Sequence, residues 1–171
     1  TNNWAGLDSV PVDSNAMIQV SVPMFYRVRG VPAPPPGMAL IPASSFTMGD
    51  TFSEGRSSEL PTHSVYINPF YMDTKEVSQA EWDEVYQWAI TNGYSFVYGA
   101  YGTAANHPVQ SSWSDAVKWC NARSEREGRV PAYYTSAEQT TVYRIGQADV
   151  QNDGVNWNTG YRLPTEAEWE K

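Results

Sequence analysis

Cysteine is nearly absent from this sequence: Cys120 is the only one in 171 residues. A single thiol excludes an internal disulfide and a cysteine-rich zinc cluster, and leaves open a partner thiol outside the chain. Positive charge is scarce too. Eleven Lys and Arg face nineteen Asp and Glu, a formal net charge of −8, so the surface repels phosphate backbones and anionic headgroups. Nucleic acid is thereby excluded as a partner class. No apolar run approaches the roughly 20 residues that a spanning helix needs, which excludes membrane insertion by that route. The residues begin at Thr1 with neither a Met nor a charged-then-apolar leader, so localisation has to be argued indirectly.

What is present is aromatic and rich in turns. Seven Trp, eleven Tyr and five Phe accompany twelve Gly and twelve Pro. That composition fits a globular, loop-rich α+β fold and argues against both disorder and a helical bundle. The sharpest shift is Val31-Pro32-Ala33-Pro34-Pro35-Pro36-Gly37, because consecutive prolines favour a stiff polyproline II spacer. Before it, Ile18, Val20 and Val22, then Tyr26 and Val28, alternate with polar residues as half-buried strands do. Residues 1–30 are therefore read as the end of a preceding β-domain or an added β-hairpin, 31–37 as a linker and 38–171 as the main domain.

In the main domain, residues 38–48 and 63–72 are rich in β-formers broken by Pro42, Pro61 and Pro69, which predicts short strands. Ser78 and Glu81 form a capping-box pair ahead of Trp82, Val85, Tyr86, Ala89 and Ile90 at helical spacing, with Gly93 as the stop. A second helix is expected from Ser112, with Asp115 three residues on, burying Trp113, Ala116, Val117 and Cys120 and ending at Gly128. Thr140 to Ile145 and the turn Asn152-Asp153-Gly154 suggest a hairpin within residues 133–158. Thr165 and Glu168 make another capping box, yet the residues stop at Lys171 within two turns. A helix that short is unstable alone, so the expectation is a chain cut inside a helix, the front of a larger domain.

Read in order, Gly37-Met38, Ile41-Pro42, Phe46-Thr47-Met48-Gly49, Glu59-Leu60-Pro61-Thr62-His63, Phe70-Tyr71-Met72-Asp73, Lys75-Glu76-Val77-Ser78, His107-Pro108-Val109, Trp113-Ser114-Asp115-Ala116 and Gly160-Tyr161-Arg162-Leu163-Pro164-Thr165-Glu166-Ala167-Glu168-Trp169-Glu170 resemble the formylglycine-generating enzyme family, also called the sulfatase-modifying factor family. The resemblance covers roughly residues 37–171. It implies a C-type-lectin-like fold, with two main helices, a small irregular antiparallel sheet and many loops, here truncated at the C-terminus. It also implies an extracytoplasmic, secreted or cell-surface setting, as in many modular bacterial members. Members oxidise a sulfatase cysteine to formylglycine with two copper-binding cysteines, and calcium supports the fold. Those cysteines and calcium ligands lie beyond the Arg162-to-Glu170 string, so the resemblance assigns no catalytic residue and no metal ligand to this chain. Copper and calcium belong to the missing C-terminal part.

The resemblance places Cys120 at a structural position of the second helix, and its spacing with Val117 reads as a small buried hydrophobe. His63 and His107 are read as structural hydrogen-bonding residues, with metal ligation the weaker alternative. Asp149 to Asn156 hints at a calcium loop but lacks the ligand spacing, so a turn is favoured. Arg162, Thr165 and Glu168 are read as a helix-start cluster and not as an acid–base pair. Tyr94, Phe96, Tyr98 and Tyr101 form an aromatic loop that could either recognise a ligand or pack a core. The function expected is a sulfatase-modifying-factor-family domain of an extracytoplasmic modular protein, its catalytic part absent; the alternative is a non-catalytic lectin-like binding or surface-structural module. The partner expected is the missing C-terminal segment, another protein or a second copy, because apolar faces should remain uncovered.

Overall fold

The computed structural model of the chain describes residues 34–171. The strand pattern at Ile18 to Val28 and the first linker prolines lie outside the described residues. Four short strands open the described part: β1 (Met38–Ile41), β2 (Ser44–Met48), β3 (His63–Ile67) and β4 (Phe70–Asp73). They pair as two separate antiparallel ribbons. β1 pairs β4 with Met38 opposite Asp73, and β2 pairs β3 with Phe46 opposite Val65. Pro42 and Pro69 lack the N–H that a ladder requires and sit in the breaks between the strands of neighbouring ribbons.

The first helix, α1 (Gln79–Thr91), starts on the capping box expected from its sequence. Ser78 Oγ accepts from Glu81 N, and the Glu81 carboxylate accepts from Ser78 N at 2.9 Å, satisfying two of the donors that a helix start leaves open. The helix buries Trp82, Val85 and Ala89 and leaves Ile90 exposed. It ends before Gly93, whose φ of +84° is the left-handed conformation that stops helices. A third ribbon, β5 (Ala100–Tyr101) against β6 (Gln110–Ser111), leads to the second helix, α2 (Trp113–Arg126).

Ser112 caps α2 by accepting from Asp115 N at 3.2 Å, but two details differ from the sequence reading. Trp113 is 48% exposed instead of buried; as the first helical residue it packs edge-on against Tyr133, at 6.3 Å between centroids. The Asp115 carboxylate turns inward rather than back to its cap.

Residues 127–165 wrap α2 mostly as loop. The expected hairpin is replaced by single pairings, Tyr133 with Val155 and Tyr134 with Val142, and a 3₁₀ turn at Asn152–Gly154. A side chain substitutes for the missing ladder. Asn121 Nδ2 donates to Tyr133 O and Tyr143 O, while Asn121 Oδ1 accepts from Ala132 N and Tyr133 N. Helix α3 (Glu166–Glu170) ends the chain on a complete Thr165–Glu168 capping box. It sits against the β2–β3 ribbon: Glu170 accepts from Gly49 N at 2.7 Å, and Lys171 reaches Ser44.

Candidate functional site

Helix α2 carries Trp119, Cys120 and Arg123 to the wall of an open trough of about 1050 Å³, whose other walls are β4 and residues 157–164. Arg123 holds Asp73 through two parallel bonds, Nη1 to Oδ2 at 2.6 Å and Nη2 to Oδ1 at 3.0 Å. Its guanidinium lies 4.0 Å from the Tyr161 ring centroid and 5.7 Å from that of Trp119. Burial works against the Arg123 charge, but the Asp73 hydrogen bonds and charge outweigh it, and the guanidinium pKa is raised. Tyr161 is fixed in turn, its N–H donating to Ser124 Oγ at 2.7 Å. Gly160 makes that approach possible, since a Cβ there would stand 2.4 Å from Val130 O.

The second trough pair joins Arg162 to Glu168 by two bonds of 2.6 Å. Burial raises the Glu168 pKa, but the Arg162 and Thr165 bonds win and hold the carboxyl below its usual range. Thr165, Glu168 and Arg162 therefore form one helix-start cluster. With Arg123 and Arg162 both paired, the deep charges of the trough are satisfied. It presents Trp119, Tyr161, Leu163 and the exposed faces of Trp157 and Trp169, a surface suited to packing.

Cys120 is buried against this wall, and burial pushes its thiol up to about 12, so at neutral pH it is protonated and unreactive. One such thiol does not make the two-thiolate copper site that the family resemblance implies. His63 opens β3 with Nδ1 3.3 Å from Pro61 O, and His107 places Nδ1 2.6 Å from Thr103 Oγ1 in the β5–β6 loop. Among the described residues no group of three or more His, Cys, Asp or Glu is arranged to hold a metal ion.

The structure divides the aromatic loop in two. Tyr94 is buried with its hydroxyl donating to Glu125 at 2.6 Å, and Phe96 packs edge-on against Trp82 at 5.9 Å. Tyr98 and Tyr101 are 74% and 71% exposed. Between them the backbone is held from below. The N–H groups of Val97, Tyr98 and Gly99 all donate to the Asp115 carboxylate at 2.8–3.1 Å. Asp115 in turn pairs with Lys118 at 2.9 Å, both side chains fully buried, and Lys118 Nζ donates to Ser95 O and Gly146 O. Burial raises the Asp115 pKa, yet the Lys118 and backbone hydrogen bonds overcome it and lower it overall.

Asp115, Lys118, Asn121 and Ser124 form a buried polar stripe along α2 that the sequence reading missed. Their signal was there, because residues three apart share a helix face and this face also carries the apolar Ala122 and Val117.

Three comparisons bear on this geometry. The sulfatase-modifying factor enzyme 1-like domain model matches residues 26–171. The chain belongs to the sulfatase-modifying factor family. It is 33% identical over 157 residues to the formylglycine-generating enzyme of Bos taurus, covering 82% of this chain and 40% of that one. It is 34% identical over 130 residues to the chaperone protein LppX of Paenibacillus barcinonensis, covering 71% of this chain and 41% of that one. Among solved structures, CarF superposes with a TM-score of 0.61 at 25% identity, over 78% of this chain and 54% of CarF. The α+β family fold of helices and small antiparallel ribbons is thus shared. This chain spans less than half the length of those two curated relatives.

Proposed function

We propose that residues 38–171 are the N-terminal, scaffolding part of a formylglycine-generating-type domain in an extracytoplasmic modular protein. In this reading residues 1–30 belong to a neighbouring β-element and 31–37 are the spacer. The catalytic cysteines, copper and calcium are supplied by polypeptide outside this chain. The observation that carries the reading is the trough: a roughly 1050 Å³ opening with a largely apolar lining, whose Arg123 and Arg162 are already paired with Asp73 and Glu168, suits a seat for more protein better than a reaction centre. Exposed apolar area of this kind marks an interaction surface. The extracytoplasmic setting rests on the resemblance to secreted modular members.

The test is an oxidation assay on a Cys-x-Pro-x-Arg peptide with copper and oxygen. The 171-residue chain is expected to yield no formylglycine, and the polypeptide encoded by the full parent gene is expected to yield it. Formylglycine from the short chain overturns the scaffold reading. A full parent protein that folds and yields none leaves the second reading, a non-catalytic binding module. That second reading is favoured by one observation, the rigid backbone beneath the exposed Tyr98 and Tyr101.

A further inference from the structure

Tyr98 and Tyr101 are 74% and 71% exposed, yet the backbone that carries them is tied down along its length. Val97, Tyr98 and Gly99 donate to the buried Asp115 carboxylate, and Ser111 Oγ donates to Gly99 O at 2.9 Å. Ala100 and Tyr101 pair with β6, and Gly102 N donates to Gln79 Oε1 at 2.5 Å. Two large rings are thus held in water on a rigid mount, with little backbone freedom to lose on binding.

The chemistry around the rings is neutral. Residues 85–114 are the longest stretch of the sequence without Asp, Glu, Lys or Arg, and the Asp115–Lys118 pair below the loop is fully buried. Gln110 stands directly opposite Tyr101 in the β5–β6 ladder, so the two side chains leave the same face. Asn106, in the connection between those strands, is exposed as well. Such a surface has no charge to pair with an acidic or basic ligand, and on a chain of net charge −8 an anion is repelled besides. Rings beside primary amides instead match a sugar, whose C–H face packs on an aromatic face while its hydroxyls exchange hydrogen bonds with amides. Tyr98 and Tyr101 lie three residues apart, at most about 11 Å between Cα atoms, within reach of neighbouring units of one flat chain.

We propose that the Tyr98–Tyr101 face binds a neutral polysaccharide of flat, equatorially linked sugars, with the two rings as stacking platforms and Gln110 as a hydrogen-bonding partner. The proposal carries the binding-module reading further by naming its ligand class. It is indifferent to catalysis, so the outcome of the formylglycine assay and the outcome of this test are separate.

Cellohexaose and xylohexaose are the probes, titrated into the 171-residue chain and followed by amide shifts and calorimetry, with an oligogalacturonate of the same length as the anionic contrast. At least one neutral probe is expected to bind, with shifts confined to residues 96–112. Tyr98→Ala and Tyr101→Ala should each weaken binding about tenfold, the scale of one aromatic contact, and Gln110→Ala about threefold. Tyr101→Phe, which keeps the ring, should bind like the parent. Unchanged thermal unfolding of these variants separates a lost contact from a lost fold. If neither neutral probe binds, the proposal is overturned and the face is left to a protein partner. Shifts elsewhere, binding that survives the loss of either ring, or oligogalacturonate binding as tightly as the neutral chains also overturns it.

Discussion

The helical half and the stranded half of this domain are built to different standards. Among the described residues, the buried core runs from Trp82 to Val155, and no residue of β1, β2, β3 or β4 is fully buried. In the helical half the buried polar groups are also satisfied, by Asp115, Lys118, Asn121 and Ser124 bonding to loop backbone or to each other. The stranded half is held by ladder bonds, the Arg123–Asp73 clamp and the α3 contacts. The difference teaches that one part can be saturated internally while its neighbour still offers surface.

That contrast can be broken by experiment, the largest effects first. Asp115→Ala leaves Lys118 buried without its carboxylate and three loop N–H groups without an acceptor, and should cost about 3–5 kcal/mol in denaturant unfolding. Trp82→Ala removes a core ring stacked on Trp119, a loss of similar size, about 3–5 kcal/mol. Asn121→Ala strands the Tyr143 carbonyl and the Ala132 and Tyr133 N–H groups and should cost about 3 kcal/mol. In the stranded half, Tyr66→Ala, at a 63% exposed position, should fall within about 0.5 kcal/mol of the parent. If Tyr66→Ala costs as much as Asn121→Ala, the division fails.

Acid sharpens the same comparison. The pKa values of Asp115 and Glu168 are lowered in the folded state. Their stabilisation is therefore fully present above the unfolded carboxylate values of about 4, and is lost as pH falls through the folded values. Stability should decline below about pH 4, and Asp115→Asn should flatten the decline more than Glu168→Gln, since the Asp115 side chain is fully buried. Thermal melts across pH 2–6 for the three proteins decide it.

The helices were legible because their signals are local. Ser78 with Glu81, Ser112, and Thr165 with Glu168 each announce a start within four residues, and the motif order from Gly37 to Glu170 carried the family. What the polar stripe of α2 holds was not legible because its partners are remote: the Asp115 carboxylate serves a loop 16–18 residues away, and Lys118 reaches Ser95 O and Gly146 O. Read locally, a polar helix residue sorts to the solvent side. The split within the aromatic loop was hidden for the same reason. Alternation along Tyr94, Phe96 and Tyr98 gives no sign that the third ring departs from the first two, since that depends on where Asp115 pulls the backbone. The trough was invisible because it exists only once α2, β4 and residues 157–164 are brought together.

The Trp82 and Trp119 indoles lie 5.6 Å apart and within 9° of parallel, and Trp119 Nε1 donates to Trp82 O at 3.2 Å. Two transition dipoles so held couple, which makes the pair a built-in optical gauge. Its near-ultraviolet circular dichroism should report the joining of α1 to α2, independent of whatever happens at the strands.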